Sequence, residues 1–251
     1  MTADFIWQNI ILGIVVFLYG IVIGSFLNVC ILRIPLKESL SKKRSHCMRC
    51  GYQLAWYDLI PLFSYLFLGG KCRKCREHIS VQYPIVEGLN GILYVLIFLL
   101  NGWSIDSVIY CLLVSLLIVF SMIDLRSQKI PLGIDLFILA LGLVHLGFHL
   151  GDWVDYVIGL FAVSIIFELI FRLSAGKWPE YTCVRLMRGT GLLLGWKLSI
   201  VSLVVGCILY GIIHIFSKRK NTLGTCLSVG IATAAACGQI INQYIGLLTA
   251  L

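Results

Sequence analysis

Charge is what this chain has least of. Only 13% of its 251 residues are Asp, Glu, Lys or Arg, about half the roughly 25% of an average globular chain. With 59% apolar residues, a mean hydropathy of +0.95 and apolar runs of about 18 residues or more, that scarcity excludes a soluble enzyme or a DNA-binding fold and indicates membrane spans. Other absences narrow the reading. The first apolar run has no charged n-region and no small-residue cleavage site, so it reads as a retained span and not a signal peptide. There is no solenoid-type repeat and no low-complexity tract. No Gly-rich strand-turn-helix of the soluble cofactor-binding kind is present.

What charge there is has a sign and a place. Twenty Lys and Arg against twelve Asp and Glu give +8, which suits either a nucleic-acid surface or the inner loops of a membrane protein. Ten of the twenty lie between Arg33 and Arg76, and the rest fall at the ends of apolar runs. That clustering follows the positive-inside rule and argues against a nucleic-acid partner. Apolar runs cover residues 5–32, 85–100, 105–123, 132–150 and 153–171; a short helix to Leu194 turns at Gly195-Trp196, a second runs from Leu198 to Phe216, and residues 223–251 close the chain. Connections at 101–106 and 151–155 carry no Lys or Arg, whereas 124–131 carries Arg126 and Lys129, and 172–188 carries four basic residues. The alternation predicts an all-α polytopic membrane protein of about eight spans with the N-terminus outside, and Lys197 the lone basic residue on that side. It comprises a first transmembrane helix (5–32), a cytoplasmic metal-binding segment (33–82) and a transmembrane domain (83–251). The small residues from Gly224 to Gly238 read as close helix packing.

Four of the ten cysteines form Cys47-Met-Arg-Cys50 and Cys72-Arg-Lys-Cys75. Two CxxC knuckles in one loop can present four thiolates to a tetrahedral Zn²⁺. A disulfide framework is the alternative, but an inside-facing loop lies in a reducing compartment, and the basic side chains around it favour thiolates. A closed four-sulfur site is a structural staple without chemistry of its own. The other cysteines, apart from Cys183, read as small buried hydrophobes. Among acidic residues, Asp124 ends an apolar span, and an ionisable group there is a functional candidate. Glu168 with Arg172 at i,i+4 reads as a helix-end ion pair. Glu87, one turn into span two, has no local partner.

Together these motifs resemble the bacterial type IV prepilin peptidases, the prepilin leader peptidase/N-methyltransferases. The resemblance rests on Gly24-Ser-Phe-Leu-Asn-Val-Cys-Ile-Leu-Arg-Ile-Pro35, Ser45-His-Cys-Met-Arg-Cys-Gly51, Trp56-Tyr-Asp-Leu-Ile-Pro-Leu-Phe-Ser-Tyr65, Gly70-Lys-Cys-Arg-Lys-Cys75 and Ile79-Ser-Val-Gln-Tyr-Pro-Ile-Val-Glu87. It runs to about Gly230. It implies an intramembrane aspartic peptidase of the GxGD type in the bacterial inner membrane, which cuts the basic leader from prepilins or pseudopilins at the cytoplasmic face. In many members the same protein then methylates the new N-terminus with S-adenosylmethionine. Two aspartates share the proteolysis, one activating water and the other polarising the scissile carbonyl, with their pKa values split apart. Asp124, in Ile123-Asp-Leu125 with Pro131 following, resembles the first. The second departs from the pattern: Val184-Arg-Leu-Met187 and Leu194-Gly-Trp196 fit, but Cys183 occupies the aspartate's position, and Glu180-Tyr-Thr182 replaces the glycine-rich lead. A thiol lacks the second oxygen that orients water. Three substitutes are open: Glu180, Glu87 paired with Asp124, or Cys183 as nucleophile with His214. The resemblance leaves two functions, a divergent active peptidase and a proteolytically silent member that binds or methylates prepilins.

Overall fold

Residues 3–41, 44–127, 130–174, 180–216 and 223–249 are described by the computed structural model. Among them the regular structure is helical, apart from two isolated β-bridges, His46 with Gln53 and Lys71 with His78. A lipid environment imposes this, because backbone N–H and C=O groups without water must pair inside their own helix. The chain divides into two units, residues 1–98 and 99–251.

In the first unit α1 (Ala3–Arg33) packs along α3 (Gln82–Asn101), and the cysteine segment between them contains a 3-10 turn, Trp56–Leu59, and the short α2 (Phe63–Phe67). A Cβ at Gly20 would come within 2.6 Å of Gly91 Cα, and one at Gly24 within 2.7 Å of Glu87 Cα. Small residues therefore let the two backbones touch, as helices in lipid commonly do. The polar residues at this seam are satisfied across it: Asn90 Nδ2 donates to Gly20 O at 2.7 Å and Asn28 Nδ2 to Tyr83 O at 3.2 Å. Ile14, Val22, Ile92 and Leu96 are exposed on the outer faces, where lipid tails would meet them.

The second unit holds α4 (Ile105–Ser127), α5 (Leu132–Phe148), α6 (Trp153–Leu173), α7 (Tyr181–Phe216), α8 (Leu223–Ala236) and α9 (Gly238–Thr249). Its core lies around α4, where Leu113, Phe120 and Ile123 are fully buried. At 36 residues, α7 would measure about 54 Å if straight, against a hydrocarbon core of about 30 Å. It is broken at Gly195, whose φ of 75° and ψ of 173° belong to a backbone region that only glycine occupies readily. The sequence places its turn there. Two contacts to the start of α6 hold the break: Trp196 Nε1 donates to Asp155 Oδ1 at 3.2 Å, and Lys197 Nζ lies 3.8 Å from Asp155 Oδ2. The first half of α7 then runs back along α6, so closely that a Cβ on Gly159 or Gly191 would collide with the other's carbonyl. At the opposite end Glu168 pairs with Arg172 at 2.9 Å, as its spacing predicts, and with Arg188 at 3.7 Å.

Among the described residues five helices are long and apolar enough to cross a membrane, or six when α8 and α9 count as one bent span. The eight spans read from the sequence are reached only by dividing α7 at Gly195 and counting the 17-residue α5. The final run is not one straight helix, because α8 and α9 meet at 70°. Asn101 fixes that bend. Its Nδ2 donates to Ala235 O at 3.3 Å and Ala236 O at 2.9 Å, and its own carbonyl accepts from Gln239 Nε2 at 3.0 Å. Packing by small residues holds for most of 224–238: a Cβ at Gly230 would meet Ser202 O, and Gly206 faces Leu227. Two cysteines depart from expectation, Cys237 by being only partly buried. Cys207 is exposed because it shares the outward face of α7 with Val204 and Ile208. Several basic residues read as inner-face charges, Lys42, Lys43, Lys129, Lys177 and the run Lys218 to Lys220, lie outside the described residues.

Candidate active site and metal centre

The C-terminal end of α4 delivers Asp124 to a position where it is only 3% exposed. Its Oδ2 accepts two hydrogen bonds from Thr225, one from the backbone N–H at 3.0 Å and one from the hydroxyl at 2.9 Å. Thr225 is in the first turn of α8, so the carboxylate caps the positive end of a helix dipole from another part of the chain. Gly224 allows the approach, since a Cβ there would stand 2.9 Å from Oδ2. Its glycine is therefore more than helix packing. Oδ1 has no hydrogen bond among the described residues, which leaves one oxygen of Asp124 for a water or a substrate.

The start of α7 lies in the field of this carboxylate. Glu180 O accepts the Cys183 N–H at 2.9 Å, closing the first turn, and the charge of Asp124 acts on both Glu180 and Cys183. Glu180 is half-buried; burial first and Asp124 second raise its carboxyl above the ordinary carboxylate value. Cys183 is buried at 2% exposure. Asp124, Glu180 and Cys183 thus gather at one end of the second unit. His214 does not join them: it is exposed, its ring stacks on Tyr210 with centroids 5.8 Å apart, and no hydrogen bond ties it to Cys183 among the described residues.

Glu87 has a main-chain partner. Its Oε2 accepts the Leu62 N–H at 2.8 Å, and Leu62 holds a φ of 60°, an uncommon conformation for a branched residue. The carboxylate seen as partnerless in the sequence pins the cysteine segment to α3 inside the first unit. A further carboxylate went unnoticed in the sequence. Asp135, buried in the first turn of α5, is 3.2 Å from Arg185 Nη2, and the same guanidinium donates to Ile130 O at 3.4 Å. Arg185 therefore ties the start of α7 to the start of α5 and to the turn that follows Asp124.

In the first unit the four cysteines converge. Their sulfurs all lie within 4.8 Å of one another, with Cys47 Sγ and Cys75 Sγ 3.8 Å apart. Each CxxC folds into the same turn: Gly51 N–H donates to Cys47 O and Arg76 N–H to Cys72 O, both at 2.9 Å, with φ of 67° at Gly51 and 58° at Arg76. Asp58 clasps the two turns together. It takes hydrogen bonds from Arg73 Nε at 2.7 Å, from the Tyr52 hydroxyl at 3.2 Å and from the Ala55 N–H at 3.3 Å. Burial opposes its charge, but the Arg73 hydrogen bond with those of Ala55 and Tyr52 outweighs burial and lowers the Asp58 carboxyl below its ordinary value.

The donor set fits a metal ion. A tetrahedral site with Zn–S near 2.3 Å puts its sulfurs about 3.8 Å apart. A disulfide would need about 2.05 Å, and all ten cysteines are free. The thiols are also unequal: the N–H groups of Cys50 and Arg49 draw Cys47 down to about 6. For Cys75 the Glu77 N–H acts downwards, but burial and hydrogen bonds with Cys50, Cys72 and Cys47 push it up to about 12. Four sulfurs this close ionise together only if a cation sits among them.

Residues 18–100 match the family model of the bacterial peptidase A24 N-terminal domain, and residues 111–215 match that of the type IV leader peptidase family. A prepilin leader peptidase/N-methyltransferase of Klebsiella pneumoniae is 33% identical over 204 residues, covering 77% of this chain and 87% of the relative. The chain belongs to the type IV leader peptidase family. A protein of the same name from Vibrio cholerae is 35% identical over 189 residues, covering 68% of this chain and 75% of the relative. One from Myxococcus xanthus reaches 46% over 121 residues, covering 48% of this chain but 36% of the relative. No solved structure matches the chain. The leader peptidase match over 111–215 takes in Asp124, Glu180 and Cys183, and the N-terminal match takes in the four cysteines. Outside it lie Gly224 and Thr225, which complete the setting of Asp124 and have no distinctive motif to announce them.

Proposed function

We propose that this protein is a prepilin leader peptidase of the bacterial inner membrane, cleaving the basic leader of type IV pilin-like precursors at the cytoplasmic face. The observation that carries the reading is the buried Asp124 capped by Thr225, with a second carboxylate, Glu180, in its field. Arg126, Arg172, Arg185 and Arg188 cluster at that end of the second unit and Lys197 at the other, so the positive-inside rule turns the Asp124 end and the cysteine segment to the cytoplasm and leaves the N-terminus outside. Zn²⁺, held by Cys47, Cys50, Cys72 and Cys75, supports the fold of that segment and takes no part in hydrolysis.

In this mechanism Asp124 is the ionised member and Glu180 the protonated one, since two nearby carboxyl groups split their titration. Asp124 accepts a proton from the attacking water while Glu180 gives its proton to the oxygen of the scissile carbonyl. Cys183 fills the apolar space where the family carries an aspartate. The relatives' names also include N-methyltransferase, and methylation of the new N-terminus from S-adenosylmethionine belongs to the proposal.

Incubation of the membrane-embedded protein with a prepilin tests it. Asp124→Asn and Glu180→Gln should each lower cleavage about 10²–10⁴-fold, the range of a positioned acid or base, while Cys183→Ala keeps most activity and Cys183→Asp raises it. Activity should fall as pH rises through the raised titration of Glu180. Cleavage unchanged in Glu180→Gln would remove Glu180 from the mechanism. Binding without cleavage by the wild type would make the protein a silent prepilin-binding member.

A further inference from the structure

The other end of the second unit carries a cluster that proteolysis does not use. Asp106 opens α4, 18 residues before Asp124, which places the two about 27 Å apart along the helix. Beside Asp106 lie two histidines from the end of α5. His145 Nε2 is 3.4 Å from Asp106 Oδ1 and His149 Nε2 is 3.6 Å from Asp106 Oδ2. The imidazoles stack with centroids 4.5 Å apart, and one donor atom from each of the three residues falls within a 4.8 Å group.

Hydrogen bonding does not account for this arrangement. His145 is 2% exposed, and neither of its ring nitrogens has a hydrogen-bond partner among the described residues. A buried imidazole left that way loses a hydrogen bond that water would have supplied. The separations from Asp106 exceed a normal N–H···O bond. They match the spacing of about 3.3 Å expected between nitrogen and oxygen ligands on a tetrahedral ion with bonds near 2.0–2.1 Å. The second shell is in place as well. His149 Nδ1 lies 3.2 Å from His145 O, so its N–H points to that carbonyl and leaves the Nε2 lone pair facing Asp106. Tyr110 and Tyr156 wall the cluster, their rings 5.9 Å and 5.2 Å from that of His145. Asp106 and His149 are about one-third exposed, which gives an ion a way in from the aqueous side.

We infer that Asp106, His145 and His149 form a second metal site, selective for a divalent transition ion of the zinc type. Two imidazoles disfavour Mg²⁺ and Ca²⁺, which prefer oxygen shells. Three protein ligands leave a coordination position for water. The bound ion cross-links the start of α4 to the end of α5 at the end of the unit remote from Asp124.

The test uses the full-length protein loaded with Co²⁺ or Zn²⁺. The four-cysteine centre serves as an internal reference, because its sulfur-to-cobalt charge-transfer band reports that centre alone. Wild type should hold one ion per chain more than the cysteines account for, and Asp106→Asn and the partly exposed His149→Gln should lose that ion while keeping the charge-transfer band. Zinc should raise the melting temperature of the wild type beyond that of either variant. Equal metal content in wild type and both variants overturns the site, and so does a wild type holding only the thiolate-bound ion.

Discussion

Asp124 shows how a single side chain acquires its setting from residues far away in sequence. Both hydrogen bonds to its Oδ2 come from Thr225, 101 positions along the chain, and hydrogen bonds to an ionised group contribute about 1.5–3 kcal/mol each. Thr225→Val keeps the shape and the backbone donor but removes the hydroxyl. Cleavage should then fall about tenfold, the equivalent of about 1.4 kcal/mol of transition-state stabilisation, with the loss in kcat and KM unchanged. A rise in KM alone would mean that Thr225 positions substrate and not Asp124. The aspartate itself was legible as a candidate because it closes an apolar span and keeps its neighbours Ile123 and Leu125. Thr225 was not, since a threonine opening a run of small residues looks like ordinary helix packing. Glu87 erred in the opposite direction: its partner is the backbone N–H of Leu62, and no side-chain pattern foretells a main-chain donor.

Between elements, the decisive contacts are made by what is missing from a side chain. At Gly159 and Gly191 two helices approach until either Cβ would strike the opposing carbonyl, and this brings the first half of α7, with Glu180 and Cys183 at its start, along α6. Gly159→Ala should destabilise the protein by about 1–3 kcal/mol, the usual cost of overpacking a close contact. Gly147→Ala, with nothing within 4 Å, should change little. Equal melting temperatures for the two variants would show that the backbones separate at no cost. The turn at Gly195 was visible in the sequence because glycine interrupts a run too long to cross once. The 70° bend between α8 and α9 was hidden, since Asn101, the residue that fixes it, lies 134 positions before the Ala235 carbonyl it binds. His145 was missed for a related reason: a lone histidine on an apolar helix declares nothing until α4 brings Asp106 against it.

Across the whole molecule the scarce charge is sorted by place. Carboxylates in the second unit stand at helix ends, whereas the first unit concentrates its basic side chains around four thiols held by local turns, which is why the convergence of the four cysteines could be read from spacing alone. The two kinds of group should respond to acid in order. Metal binding requires thiolates and expels protons, so affinity falls as pH drops, and Cys47, drawn down to about 6, marks where protons begin to compete at that sulfur. Asp58 has a folded pKa below its unfolded value, so its contribution is fully present above about 4 and lost only as pH falls through the lower folded value. Metal should leave first, below about pH 6, with the Asp58 clasp opening under pH 4 while the membrane helices persist. A chromogenic chelator follows the first step, the fluorescence of Trp56 in an otherwise tryptophan-free variant the second, and far-ultraviolet circular dichroism the helices. If metal is retained until helicity collapses, the cysteine centre does not titrate independently of the spans.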